Sequence, residues 1–380
     1  RGAGRRLRNP GNLCYTVIMV YRTYGRTGKQ VSILGFGGMR FENVDDHDAS
    51  TAMMVEAAEG GVNYFDTAPK YFGTRGEKAF GAGLAELRRR GTPYYLSTKT
   101  FESEESAIRR EIEGQLRRLD VDHIDFYHVW CITSLENWRE RRRNGVIEAF
   151  RRLKDEGLVG HICVSSHLIG DEIRELLEEG VFEGVLFGYS AYNFKTRQQA
   201  FEAIRQYNLG CAVMNPLGGG IIPRHPQLFP FLSRGNGETT VEGALRFLFS
   251  HEDITLSLVG FGNISHVRDA LSAVERFERE GGMDLEAVMS EVDTTFEGIC
   301  TGCQYCDNCP EGIPIPKLMD AYNHKILFDD EKQVVSRLKN YWNVDPALAA
   351  RCIECGQCED ECTQHLPIIS RLAEITRLAG

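Results

Sequence analysis

The sequence predicts an α/β chain: a closed (β/α)8 TIM barrel followed by a smaller, mainly helical domain built around metal centres. Two observations predict it. Short apolar runs alternate with amphipathic stretches eight times between Val31 and about Arg279, and eight of the twelve cysteines stand in two tight runs near the C-terminus. The strands are expected at Val31–Gly38, Asn63–Ala68, Tyr94–Thr100, Ile124–Trp130, His161–Ser166, Val185–Tyr192, Cys211–Leu217 and Thr255–Gly262. Between them, Phe80, Leu84 and Leu87 share one helical face. Ile108, Ile112, Leu116 and Leu119 share another, as do Val267, Leu271 and Val274. Gly60–Gly61, Gly91, Gly157, Gly180 and Gly210 fall where helices end and a left-handed residue is useful. A doubly wound open sheet is the structural alternative, but GFGGMR at 35–40 lacks the G-x-G-x-x-G spacing of its phosphate loop.

The divisions follow: a tail over 1–28, the barrel over 29–282 and the cysteine domain over 283–380. The tail carries several arginines, no acid and a short apolar patch from Leu13 to Val20. It resembles a transit or twin-arginine signal only loosely. Met19 leads straight into the fold, so residues before it are expected to be foreign to the native chain. A net charge of −10 argues against nucleic acid as the main partner. No run approaches the ~20 apolar residues of a membrane span. A cytoplasm reducing enough to preserve exposed clusters, as in an anaerobe, is expected.

The first cysteine run, CTGCQYCDNCP, holds Cys300, Cys303, Cys306 and Cys309; the second, RCIECGQCEDEC, holds Cys352, Cys355, Cys358 and Cys362. Two-residue gaps let successive thiolates converge on one small centre, and two sets of four match two [4Fe–4S] cubanes. Paired Cys₄ zinc sites are the competing reading. They usually join two separated C-x-x-C pairs, whereas here a proline directly follows an unbroken run. A disulfide framework suits a small secreted scaffold, which this is not. The 42 residues between the runs read as helical, with Ile315, Leu318, Met319 and Tyr322 on one face and Ile326, Val334, Val335 and Leu338 continuing it. That spacing resembles the alpha-helical ferredoxin type. The resemblance implies that Cys300, Cys303 and Cys306 group with Cys362, and Cys352, Cys355 and Cys358 with Cys309. The first run departs from the type by ending C-x₂-C-P, where three residues are usual.

In such a barrel, chemistry sits at the C-terminal ends of the strands. Strand two ends in GVNYFDTAPKYFGTRGEKAFG, strand three in YYLSTKT and strand four in HIDFYHVW; VSSH, YN and NPLGGG mark strands five to seven. With GFGGMRF at strand one, these tips resemble the aldo-keto reductase family across the whole barrel. The cysteine runs narrow the resemblance to the branch fused to a 4Fe–4S ferredoxin module. It implies hydride transfer between NADP(H) and a small-molecule carbonyl, with Asp66, Tyr71 and Lys99 in the catalytic set. An ammonium beside a tyrosine stabilises its phenolate and makes it a better acid. The family's histidine position is Trp130 here. His128 lies two residues earlier on the same inward face and is expected beneath Trp130, hydrogen-bonded to a polar neighbour such as Lys99 or Tyr71.

The same resemblance places Ser165, Ser166, Tyr192 and Asn193 at the nicotinamide, with Tyr189 where a glutamine is common. Arg268 is left as the residue to meet a 2′-phosphate, while Asp269 and Ala270 replace the usual Glu-Asn. Nicotinamide moves two electrons together and a cubane one at a time, so a flavin, a radical-tolerant substrate or a ferredoxin-like partner is implied if both share a reaction. Arg139, Arg141, Arg142 and Arg143 are candidates to receive an anionic substrate or partner. Cys14, Cys131, Cys163 and Cys211 read as packed thiols. The expectation is an iron–sulfur aldo/keto reductase-like oxidoreductase. Its alternative is an electron-transfer subunit whose barrel is a docking scaffold.

Overall fold

A computed structural model of the chain describes residues 19–292 and 298–379. The described residues divide into two compact units, one formed by residues 19–217 and 222–292 and the other by 218–221 and 298–379.

Eight parallel strands close the first unit into a barrel: β3 (Leu34–Gly37), β4 (Tyr64–Asp66), β5 (Tyr95–Thr100), β6 (Ile124–Ile132), β7 (Val159–Ser166), β8 (Gly184–Gly188), β9 (Gly210–Met214) and β10 (Leu256–Gly260). β10 pairs with β3 to complete the ring. Every expected strand is present, and most are shorter than the apolar runs suggest. The run overshoots at the mouth because Thr67–Ala68, Tyr189–Tyr192 and Asn215–Leu217 leave the ladder to build loops. β6 and β7 are longer: β7 starts at Val159, and β6 runs past Trp130 to Ile132, its register with β7 breaking between Val129 and Ile132. Cys131 sits in that irregularity at φ 60°, a bulge of the kind that re-aims side chains beside functional sites.

A short antiparallel hairpin, β1 (Tyr21–Thr23) and β2 (Gln30–Ser32), precedes the barrel. Tyr24, between its strands, is fully buried and packs with Val31, Tyr64, Phe126, Cys163 and Leu186 as a plug. Part of the stretch assigned to the tail therefore belongs to the barrel. Residues 1–18, including Cys14, lie outside the described residues.

In the second unit, helices Ile315–Phe328, Glu331–Asn340 and Ile368–Ala379 surround a core of Ile313, Leu318, Met319, Val334, Leu338 and Leu372. Ile326 and Val335, expected on the apolar face, are only half-buried. In the first unit a further helix spans Leu285–Glu291.

Candidate active site and candidate metal centre

Asp66 ends β4, and Ser97 and Lys99 share the inward parity of β5; the registers set Asp66 beside Ser97 and Lys99 beside His128. Lys99 Nζ donates to Asp66 Oδ1 at 2.6 Å, with the two residues only 1% and 4% exposed. Ser97 Oγ donates to Asp66 Oδ2 at 2.7 Å and lies 3.1 Å from His128 Nε2. With the hydroxyl hydrogen committed to Asp66, His128 in its Nε2–H form donates to Ser97. Ser97 is thus the polar neighbour that His128 meets. The inward parity of YYLSTKT could have revealed it.

Tyr71 stands in the loop after β4, its carbonyl accepting from Gly76 N at 3.2 Å. A side chain at Gly76 would place Cβ 2.4 Å from that carbonyl, so glycine keeps the turn closed. Lys99 Nζ lies 5.4 Å from the Tyr71 ring centre, and Trp130 meets the Tyr71 ring edge-on at 5.9 Å. Trp130 stacks on Phe101 at 3.9 Å, while Arg141 Nη1 donates to the Trp130 carbonyl at 2.6 Å. Trp130 is therefore a fixed wall beside the phenol.

Burial alone would lower the Lys99 pKa, but Asp66 and then Tyr71 outweigh it and hold the ammonium above its ordinary value. Burial raises Tyr71, and Lys99 pulls it back. Because the ring is half-buried, water at the mouth tempers the first effect. Burial, then the Lys99 charge, drops His128 to about 3, so it is neutral at working pH. A phenol above a buried ammonium–carboxylate pair can pass a proton to a developing alkoxide.

Ser165 and Ser166 end β7, both buried, with Ser166 Oγ accepting from Leu168 N at 3.2 Å. Asn193 Oδ1 accepts from Ser190 N at 2.8 Å and Ser190 Oγ at 3.1 Å, closing the turn that carries Tyr192. Tyr189 packs instead against Phe201 and Phe247, its hydroxyl 3.3 Å from His251 Nε2. Arg268 is exposed and ion-paired with Glu56 at 2.7 Å. Of the arginine run, Arg139 pairs with Glu175, Arg142 with Glu179 and Arg143 with Glu136, while Arg141 is buried on Trp130. These arginines are engaged by protein groups, which weakens their candidacy as an anion receptor. Cys131, Cys163 and Cys211 are buried.

In the second unit, Cys309, Cys352, Cys355 and Cys358 line one cavity, which Cys306 also borders. Cys358 interacts electrostatically with Cys352 and Cys309. Cys306 interacts with Cys303, Cys300 and Cys362. The thiols thus gather as three from one run and one from the other. Gly302 N and Leu366 N donate to the sulfurs of Cys300 and Cys362, both at 3.4 Å. Asn323 clamps the Cys300 backbone, accepting from its N–H and donating to its carbonyl at 2.8 Å each. Burial, with neighbouring thiols, pushes Cys300 up to about 12, and burial, then Glu359, then the neighbouring thiols push Cys358 to about 11. A coordinated metal reverses that preference and deprotonates such thiols outright. Among the described residues, no three Cys, His, Asp or Glu side chains close on a single-ion site.

Residues 33–280 match the aldo/keto reductase family, and residues 299–366 match a 4Fe-4S dicluster domain. L-galactose dehydrogenase of Arabidopsis thaliana is 28% identical over 307 residues, covering 73% of this chain and 94% of its own. An uncharacterized oxidoreductase of Bacillus subtilis is 28% identical over 305 residues, covering 68% and 91%. The solved holo structure of an aldo-keto reductase from Bacillus halodurans shares the fold at a TM-score of 0.62 and 24% identity, covering 72% of this chain and 96% of its own. The β4, β5 and β6 tips carrying Asp66, Lys99 and Trp130 lie within the matched barrel, and all eight clustered cysteines lie within the matched C-terminal segment. This chain belongs to the aldo/keto reductase family, as an oxidoreductase carrying a C-terminal 4Fe–4S dicluster domain.

Proposed function

We propose that the chain reduces or oxidises a carbonyl-type small molecule using NADP(H), electrons relayed through two [4Fe–4S] clusters, or both. The observation that carries this reading is the buried Asp66–Lys99 pair beneath the half-buried Tyr71 at the barrel mouth. Bound nicotinamide would supply or accept the hydride. Tyr71 would give its proton to the carbonyl oxygen, or take it back in oxidation, with Lys99 stabilising the phenolate and Asp66 holding Lys99 charged. His128, buried and neutral, would position Asp66 through Ser97 rather than touch the substrate, and Trp130 would wall the pocket.

The nicotinamide end of the site fits its cofactor: Ser165, Ser166, Tyr192 and Asn193 would hold it at the tips of β7 and β8. The adenosine end fits less well, because Arg268 would have to leave Glu56 to meet a 2′-phosphate. A flavin is the alternative two-electron carrier. The thiols fit two cubanes, one on Cys300, Cys303, Cys306 and Cys362, the other on Cys309, Cys352, Cys355 and Cys358. We place the protein in a reducing, cytoplasmic compartment with a ferredoxin-like redox partner. Among the described residues no helix is long and apolar enough to cross a membrane.

A second reading, an electron-transfer subunit with a docking barrel, is favoured by one observation. Trp130 occupies the family's histidine position, and His128 is sealed below it. Anaerobic purification, iron and sulfide analysis, and titration with NADPH, NADH and flavins distinguish them. The proposal expects about eight iron per chain, NADPH binding and turnover of some member of an aldehyde, ketone and enone panel. Two clusters with no nicotinamide binding and no turnover would establish the scaffold.

A further inference from the structure

Arg371 stands in the helix Ile368–Ala379, is 7% exposed, and has no hydrogen-bond partner for its Nη1. Among the described residues no carboxylate ion-pairs with it. Glu374, one turn along, is taken by Lys325 and Arg377 and accepts from the Tyr322 hydroxyl. Asp320 is taken by Arg337 and Trp342. The guanidinium lies over the Tyr322 ring at 4.8 Å. A Cβ at Gly298 would meet Arg371 Nη2 at 2.8 Å, so the chain just before Cys300 is pared to glycine where the guanidinium passes. Burial lowers its pKa, and against that Tyr322, then the thiols of Cys300 and Cys362, then Glu374 favour the charged form.

A buried cation without an anion is costly, and proteins seldom keep one without a compensating charge. Four thiolates around a cubane form such an anion, which becomes more negative by one charge on reduction. We propose that Arg371 is the buried counter-cation of the cluster held by Cys300, Cys303, Cys306 and Cys362, and that it selectively raises that cluster's reduction potential. This rests on the reading that those four cysteines share one cubane. The N–H donors of Gly302 and Leu366 to Cys300 and Cys362 act in the same direction. At the other set Glu359 acts on Cys358 and Cys355 is exposed, while Asp320, which also acts on Cys300, is taken by Arg337 and Trp342. Removing Arg371 should therefore move one potential and spare the other.

The full chain, purified anaerobically, is titrated with dithionite and followed by electron paramagnetic resonance, in wild type, Arg371→Met and Arg371→Lys. Wild-type iron and sulfide come first: fewer than two clusters there defeats the cubane reading itself, independently of Arg371. With two clusters present, Arg371→Met should weaken reduction of one by about tenfold or more, or about 59 mV for one electron. The other should be unmoved and Arg371→Lys should stay near wild type. Loss of one cluster in Arg371→Met with full retention in Arg371→Lys also supports the role, since only charge separates the variants. Unshifted potentials in Arg371→Met, equal shifts in both clusters, or equal damage from lysine and methionine would overturn it.

Discussion

His128 illustrates how one side chain's surroundings decide its part. A fully buried imidazole beside an ammonium cannot accept a second proton cheaply, and its pKa falls to about 3 from 6.5. Below pH 6.5 the unfolded chain therefore binds a proton that the folded chain refuses, and stability falls as pH drops from 6.5 toward about 3. His251, lowered to about 4 by burial and then by Arg22, acts in the same direction over a narrower window. Each such group removes up to about 1.4 kcal/mol per pH unit inside its window. Calorimetry across that range should show a falling Tm, with a shallower slope in His128→Gln, whose amide can still donate to Ser97. An unchanged slope in that variant would mean that His128 is not held neutral. Strand parity alone gave the depth of His128 below Trp130. Its partner was not legible, because a serine in a strand has no motif and only the register sets Ser97 against Asp66.

At the scale of elements, the barrel's eight strands were visible because apolar runs of four to eight residues recur between helical faces. The β1–β2 hairpin was not, since its strands have only three residues each and no measurable period. It is nonetheless part of the core. Tyr24 sits where Gly184 and Gly210 leave room: a Cβ would meet its ring at 2.5 Å and 2.0 Å respectively. Gly210→Ala should overpack this plug and cost about 1–3 kcal/mol; Tyr24→Ala should cost about 3–5 kcal/mol. Because the new methyl would fill part of the space left by the ring, the double variant should be less destabilised than the sum. Urea titrations of the four proteins measure that coupling. Strict additivity would show that Tyr24 and Gly210 do not share one packing site.

For the whole molecule, the sequence motifs carried the family assignment at both ends. Asp66 and Tyr71 come from the tip of β4 and Lys99 from that of β5, yet the fold brings them together, as it does cysteines from runs 42 residues apart. Such convergence is invisible to local patterning and came only through resemblance to known families. The departures at Trp130, Tyr189 and Arg268 are likewise read from side-chain surroundings: Trp130 stacks, Tyr189 turns into the helices and Arg268 is held by Glu56. They leave the acid as the centre of the account. Tyr71→Phe removes one hydroxyl and keeps the ring that packs on Trp130, so iron content and nicotinamide binding should be retained. Steady-state turnover of that variant, on a carbonyl substrate found in the panel, is the most direct measurement. A loss of roughly two to four orders in kcat is predicted, the range for removing a general acid; unchanged turnover would contradict the account.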